Sequence, residues 1–137
     1  LQEGKAEDVL GADDFRQMRA MFALPPNPDA VPRSVVDHFA RSLSRPGRLT
    51  AALNYYRANF SDSRSWRALA QELKITTPTT YLWGDQDPAL GRRSAEGTAA
   101  HVDGPYELEI LEGAGHWLQF ERPDEVSRAL TRAGKPL

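Results

Sequence analysis

Apolar residues in the first half of the chain recur at intervals of three and four, the spacing typical of amphipathic helices. This pattern predicts helices over about residues 6–23, 32–43 and 46–60, and a shorter one over residues 65–73. A proline cluster at residues 24–28 must separate the first two, because proline has no N–H to donate and disfavours a helical residue before it. The first half is therefore predicted to be almost entirely helical.

The pattern changes near residue 75. Residues 75–84 are rich in β-branched and aromatic side chains and end at a glycine, which predicts a buried strand. A helix is predicted over residues 92–101, an alternating strand over residues 106–111 and a closing helix over residues 123–133. This order predicts a right-handed parallel crossover unit. Because two parallel strands leave their edges and faces uncovered, we expect further strands from outside these 137 residues.

Composition narrows the classes of function. The chain is 40% hydrophobic and 26% charged, as in soluble globular proteins. A net charge of −2, without a long basic block, argues against nucleic acid and anionic lipid as partners. The absence of cysteine excludes disulfides and thiolate metal sites, and no apolar run is long enough to span a bilayer. We expect a soluble, cytoplasmic protein with no metal and no cofactor.

Ionisable residues follow both predicted strands. Asp85 and Asp87 come after the first strand, and His116 follows the second in a glycine-rich turn at residues 113–115. Because working residues collect beyond the carboxyl ends of strands in open α/β sheets, we expect a carboxylate to meet His116 there. Such a pair would act as orienting acid and base, since imidazole exchanges protons near neutral pH. Taken singly, each residue is more often a turn former or a packing residue.

Three short motifs lie in this second half: Trp83-Gly84-x-x-Asp87, Gly113-x-Gly115-His116-Trp117 and Glu121-x-Pro123. Together they resemble the C-terminal region of the α/β-hydrolase superfamily over about residues 74–131. The resemblance implies that Asp87 is the triad acid, His116 the general base and Asp85 a turn residue. It also implies an α/β fold class, with residues 1–70 a helical cap segment and residues 71–137 the last part of the parallel-sheet core.

The segment from Leu49 to Ala58 is similar to the cap segment of epoxide hydrolases. That similarity implies that Tyr56 donates its O–H to the epoxide oxygen as the ring opens. A phenol suits this role because its ordinary pKa is about 10, so it keeps its proton at neutral pH and can donate it to a developing alkoxide. Packing inside the cap is the alternative for Tyr56. Trp117 and Tyr55 are the candidate substrate-binding residues, although Tyr55 should face a different side of the helix from Tyr56.

One part of the superfamily pattern is missing. Its nucleophile lies ahead of the cap on a G-x-S-x-G elbow, or on the same elbow with Asp, and these 137 residues contain no such segment. We therefore expect an inactive chain, a cut or partial product beginning at Leu1, that an N-terminal half or a second chain completes. The parent would be an epoxide hydrolase acting on a small hydrophobic substrate such as an epoxide or ester. Dehalogenases, serine-nucleophile ester or carbon–carbon hydrolases and a non-catalytic interaction module are the alternatives.

Overall fold

The computed structural model describes residues 2–60 and 73–133. Three helices occupy the first range: α1 (Lys5–Ala20), α2 (Arg33–Leu43) and α3 (Arg48–Phe60). They confirm the first three predicted helices, with α1 ending three residues earlier than expected. The predicted helix over residues 65–73 lies almost wholly outside the described residues, as does the predicted boundary between cap and core.

Helix α1 is interrupted in its middle, which the hydrophobic pattern did not predict. Ala12 is extended, and Asp13, Asp14 and Phe15 have positive φ values of 49°, 53° and 60°. Aspartate tolerates this left-handed region better than most residues, because its short polar side chain can form local hydrogen bonds. Asp14 does so with Arg19, which donates to its backbone oxygen at 2.7 Å and to its carboxylate at 2.9 Å.

A small apolar core joins α1 and α2. Phe15 and Met18 of α1 are buried against Ala40 of α2. Partly buried apolar side chains surround these three: Phe22, Leu43 and Leu49. The helices therefore associate through a few well-buried positions, while other apolar positions of the predicted stripes remain exposed.

Two arginines connect α1 to its neighbouring helices. Both terminal nitrogens of Arg57 donate to the carboxylate of Glu7, each at 2.8 Å, and Arg19 donates to Asp37 of α2. The hydrogen bond from Arg57 lowers the pKa of Glu7 to about 2. The two-pronged geometry is specific as well as attractive, so the Glu7–Arg57 pair fixes how α1 lies against α3.

The sheet in the described residues consists of β1 (Thr79–Gly84) and β2 (Tyr106–Leu111), which pair in parallel. This confirms the predicted pairing and places the carboxyl ends of both strands at one edge. Strand β1 begins four residues later than expected, because Pro78 cannot donate to a ladder. Ile75 forms only an isolated bridge with Val102.

Short helices cover the rest of this region: α4 (Arg92–Gly97), α5 (Leu118–Glu121) and α6 (Pro123–Ala133). A 3₁₀ turn over residues 98–101 continues α4, so the predicted helix is present with a tightened last turn. Helix α6 has the predicted bounds, whereas α5 was not predicted. Among the described helices, none is long and apolar enough to cross a membrane.

Candidate active site

The candidate acid and base meet beyond the ends of the two strands. Nδ1 of His116 lies 3.1 Å from Oδ1 and 3.0 Å from Oδ2 of Asp87. The Asp87 side chain is only 5% exposed, whereas that of His116 is 30% exposed. The predicted contact between the two strand-end loops is confirmed. With Nδ1 directed at Asp87, Nε2 is the ring nitrogen that remains to accept a proton.

Backbone groups hold Asp87 in place. Its Oδ1 accepts hydrogen bonds from the N–H groups of Ala89 at 2.7 Å and Leu90 at 3.0 Å. The same loop is closed by Trp83, whose indole N–H donates to the Leu90 oxygen at 2.8 Å. Burial alone would raise the pKa of Asp87, but the hydrogen bonds from His116 and from the two backbone N–H groups outweigh it and lower the pKa. Asp87 is therefore a fixed, ionised carboxylate at neutral pH.

Asp85, the neighbouring carboxylate, is used differently. Its Oδ1 accepts the N–H of Gly113 at 2.7 Å, which ties the loop after β1 to the turn after β2. Its own backbone N–H donates to the Leu111 oxygen at 3.2 Å. The structure thus brings Asp87 to His116 and places Asp85 in the turn that holds the two loops together.

Gly84 allows the loop that carries His116 (residues 112–117, the histidine loop) to lie directly against the end of β1. A Cβ atom added at Gly84 would fall 2.3 Å from the oxygen of Ala114 and 2.4 Å from that of Gly115. Both are backbone atoms, so any other residue would displace the loop. The loop also accepts the Gln86 N–H at the Ala114 oxygen, at 3.0 Å. The glycine of the Trp83-Gly84 motif therefore has a steric function.

Three hydrogen bonds meet at the carboxylate of Glu121. It accepts the backbone N–H of Gly115 at 2.7 Å, the backbone N–H of Trp117 at 3.0 Å and the side-chain amide N–H of Asn27 at 2.6 Å. The first two donors lie on either side of His116. The motif Glu121-x-Pro123 was visible in the sequence, but its function was not. Two of its partners are backbone groups, and the third lies 94 positions away.

Trp117 links the histidine loop to the end of α1. Its ring stacks on Phe22 with 4.8 Å between centroids, and its indole N–H donates to the Met21 oxygen at 3.1 Å. The edge of the same ring system lies near His116, at 5.2 Å between centroids. The structure therefore places Trp117 beside the candidate base. Its role in substrate binding stays a prediction.

The two candidate tyrosines lie on α3. Tyr55 and Tyr56 are both exposed, and their rings are perpendicular with centroids 5.5 Å apart. The structure thus brings together Asp87 and His116, whereas the tyrosines lie on an exposed part of a helix of the first half. The ring-opening role of Tyr56 and the substrate-binding role of Tyr55 stay predictions.

Residues 4–129 match the sequence profile of the Alpha/beta hydrolase family when the chain is compared with known proteins. The chain belongs to the α/β-hydrolase family. Its helices and parallel strand pair agree with the predicted C-terminal portion of that fold.

Several relatives of this chain are named as epoxide hydrolases. It is 35% identical over 159 aligned positions to epoxide hydrolase A of Mycobacterium tuberculosis, covering 94% of this chain and 48% of the relative. It is 34% identical over 123 positions to epoxide hydrolase 3 of Mus musculus, covering 88% and 32%. The crystal structure of epoxide hydrolase A from Mycobacterium thermoresistibile matches with a TM-score of 0.70 and 30% identity, covering 97% and 49%. The chain thus spans about half the length, or less, of these relatives.

Proposed function

We propose that this chain is the acid–base part of an epoxide hydrolase whose nucleophile lies in an N-terminal half. The contact between Asp87 and His116 at the strand ends carries this proposal, because a fixed carboxylate beside a more exposed imidazole is the arrangement that general-base catalysis requires. The similarity to proteins named as epoxide hydrolases supports the choice of substrate.

In the proposed reaction, an aspartate of the N-terminal half attacks an epoxide carbon. The carbon–oxygen bond of the ring breaks, an ester forms, and Tyr56 donates a proton to the departing oxygen. His116 then takes a proton from water at Nε2, and the resulting hydroxide attacks the ester carbonyl. The bond between the ester carbonyl and the alkyl oxygen breaks, the proton carried in by the hydroxide passes to that oxygen, and the diol leaves with the aspartate restored as a carboxylate. The proton on His116 returns to Tyr56. One epoxide and one water give one diol.

Asp87 contributes by staying ionised through this cycle. Its lowered pKa keeps a negative charge next to Nδ1. That charge favours the tautomer with the proton on Nδ1, leaves Nε2 free to act as base, and stabilises the imidazolium that forms. An asparagine at this position would keep the shape of the side chain but lose the charge.

The remaining parts of the proposal concern the whole protein. Residues 1–70 would form the later part of a cap over the site, and residues 71–137 the end of the sheet core. The N-terminal half, or a second chain, would supply the strands that complete the sheet around β1 and β2. Location in the cytoplasm stays a prediction.

The test joins this chain to the N-terminal half of epoxide hydrolase A of Mycobacterium tuberculosis and measures styrene oxide turnover. We expect His116→Gln to lower kcat about 100-fold or more, the usual contribution of a general base. Because ester formation does not need His116, that variant should also accumulate enzyme bearing one covalently bound substrate, detectable by mass spectrometry. His38→Gln, an exposed histidine on α2, is the matched control. Undiminished turnover in His116→Gln would remove His116 from the mechanism.

The class of nucleophile is tested separately, because the same acid and base also serve a serine. The coding sequence upstream of Leu1 gives the decisive residue: an elbow with aspartate supports epoxide hydrolysis, and an elbow with serine replaces it with hydrolysis of an ester or a carbon–carbon bond.

A further inference from the structure

We propose that Glu121 is a positioning residue for His116, and that it couples the histidine loop to the connector between α1 and α2 (residues 21–32, the connector). The proposal rests on the proposed role of His116 as the base. It assigns to Glu121 a function that acts through the histidine and needs no contact with the substrate.

Glu121 accepts hydrogen bonds on both sides of His116. The N–H groups of Gly115 and Trp117, one residue before and one residue after His116, donate to its two carboxylate oxygens at 2.7 and 3.0 Å. Fixing the peptide groups on both sides of a residue fixes the direction of its Cα–Cβ bond. Because the acceptor is a charged carboxylate, these bonds are shorter and stronger than neutral ones. The direction of the imidazole is therefore fixed twice, by the backbone bonds to Glu121 and by the contact of Nδ1 with Asp87.

The connector packs tightly against the histidine loop. A Cβ atom at Gly115 would fall 2.8 Å from Cδ of Pro26, 3.0 Å from the oxygen of Pro25 and 3.0 Å from Oε1 of Glu121. Asn27 adds two polar contacts, donating to Glu121 at 2.6 Å and to the Gly113 oxygen at 3.4 Å. The connector thus lies directly on the loop, and Glu121 is the group that both share.

The hydrogen bonds of Glu121 require a group that only accepts. A carboxylate only accepts hydrogen bonds, and all three partners of Glu121 are donors. A glutamine has one accepting oxygen and one NH₂ group, so Glu121→Gln would turn a donor toward another donor. The loop or the connector must then move away. Asn27→Asp makes the opposite error, because it sets one carboxylate against another.

These two errors cancel at the connector contact when combined. In the double variant Asn27→Asp with Glu121→Gln, the glutamine NH₂ can donate to the new aspartate while its oxygen still accepts the Trp117 N–H. The Gly115 N–H, which shares Oε2 with Asn27, loses its acceptor. The pair therefore offers a rescue experiment, and rescue separates a specific contact from general damage to the fold.

The experiment uses the 137-residue chain joined to the N-terminal half of epoxide hydrolase A of Mycobacterium tuberculosis and labelled with nitrogen-15, and reads the tautomer of His116 from its imidazole spectrum. His116→Gln identifies the signals of His116 by their loss. In the wild type we expect the proton on Nδ1. In Glu121→Gln and in Asn27→Asp we expect the ratio of the Nδ1–H to the Nε2–H tautomer to fall about tenfold, the scale of one lost charged hydrogen bond. In the double variant we expect the ratio to recover in part, because the connector contact is restored while the Gly115 N–H still lacks an acceptor. Asp124→Asn, at an exposed position of α6, is the control and should leave the ratio unchanged.

Two outcomes overturn the proposal: a wild-type tautomer ratio retained in a folded Glu121→Gln chain, or a shift in that variant that Asn27→Asp does not rescue. Should Glu121→Gln fail to fold, Asn27→Ala decides instead, because it removes the two hydrogen bonds of the connector and keeps those that Glu121 accepts from the loop. It should lower the ratio less than Asn27→Asp, and an unchanged ratio would refute the coupling. No substrate is involved. If the tautomer shifts in Glu121→Gln while His116→Gln keeps full turnover, the positioning role of Glu121 is supported and only the proposed role of His116 as the base is rejected.

Discussion

Two acid–base pairs of the described residues lie in different regions and invite comparison: Glu7 with Arg57 among the helices, and Asp87 with His116 at the strand ends. In both pairs the carboxylate accepts hydrogen bonds from its partner and has a lowered pKa. The partners differ, because a guanidinium stays protonated at any pH a protein survives, while an imidazole exchanges its proton near neutrality. The first pair can only hold two helices together, whereas the second can also move a proton.

The two pairs also differ in how far each partner is exposed to solvent. Glu7 and Arg57 are enclosed to the same degree, with side chains 17% and 18% exposed, as expected of a contact between helices. Asp87 is almost fully enclosed and bound by two backbone N–H groups, while His116 is more open. Charge pairing alone therefore does not identify a site. An immobile acid beside an accessible, titratable base does.

Among substitutions that would disturb either pair, Gly84→Ala is expected to have the largest effect on stability. The new methyl group would lie 2.3 Å from a backbone oxygen of the histidine loop, so the loop must move away from β1 and the Asp87–His116 contact must lengthen. We expect a loss of about 3 kcal/mol in the free energy of unfolding, the upper range for overpacking. Urea denaturation measures it. Gly97→Ala is the control, because nothing lies within 4 Å of its added Cβ; equal effects of the two substitutions would contradict the steric role of Gly84.

Asp87→Asn should come next. It keeps the shape of the side chain but removes the charge that fixes the His116 tautomer, so kcat for styrene oxide in the joined hydrolase should fall about 100-fold. Asp85→Asn keeps an oxygen that can accept the Gly113 N–H and should change kcat by less than about threefold. Similar losses in the two variants would show that Asp87 has no special role as the acid.

The Glu7–Arg57 pair predicts a dependence of stability on pH. The folded pKa of Glu7, about 2, lies below its ordinary value of 4.5. Glu7 therefore contributes stability that is fully present above pH 4.5 and is lost as the pH falls toward 2. Urea midpoints measured across that window should fall less steeply in Glu7→Gln than in the wild type. Asp8→Asn, an exposed neighbour on α1, should follow the wild-type slope; a Glu7→Gln slope equal to it would refute the interpretation.

The smallest effect is expected where an ion pair is open to solvent. Arg92 and Glu96 lie one turn apart on α4, with 3.3 Å between Nη1 of Arg92 and Oε1 of Glu96. Both side chains are 53% exposed. Solvent screens such a pair, so Glu96→Gln should change the free energy of unfolding by no more than about 0.5 kcal/mol. Thermal melts with and without 1 M salt, a screening concentration, would test this. A larger, salt-insensitive loss would show that exposure does not separate the two kinds of pair.

Much of the fold was predictable because its signals are local. The bounds of β2 and α6 follow from alternation and from a proline in the first helical turn. The contact of Asp87 with His116 was predictable for a topological reason, since the carboxyl ends of adjacent parallel strands share one edge. The sequence also indicated the family through short motifs, and the family match confirms it.

The remaining features depend on contacts that no local pattern records. The left-handed residues 13–15 interrupt a segment whose apolar spacing still looks helical. The requirement for glycine at Gly84 comes from backbone oxygens thirty positions later, and the bonds of Glu121 go to backbone groups and to Asn27. For Tyr56 the signal came from the sequence and not from the structure. Similarity to a family suggested its role, and its exposed position on α3 neither supports nor contradicts that role.

The span of the Glu121–Asn27 bond has a consequence for the order of folding. This bond closes a loop of 94 residues, whereas the Asp87–His116 contact closes one of 29. The entropy of loop closure grows with the logarithm of length, so the longer closure costs about 1 kcal/mol more. Pulse-labelled hydrogen exchange during refolding should then show the Gln86 amide, which donates to the Ala114 oxygen within the crossover, protected before the indole N–H of Trp117, which donates to the Met21 oxygen. The proton-exchanging pair would assemble within its own crossover, and attachment of the helical half would follow as the later, slower event.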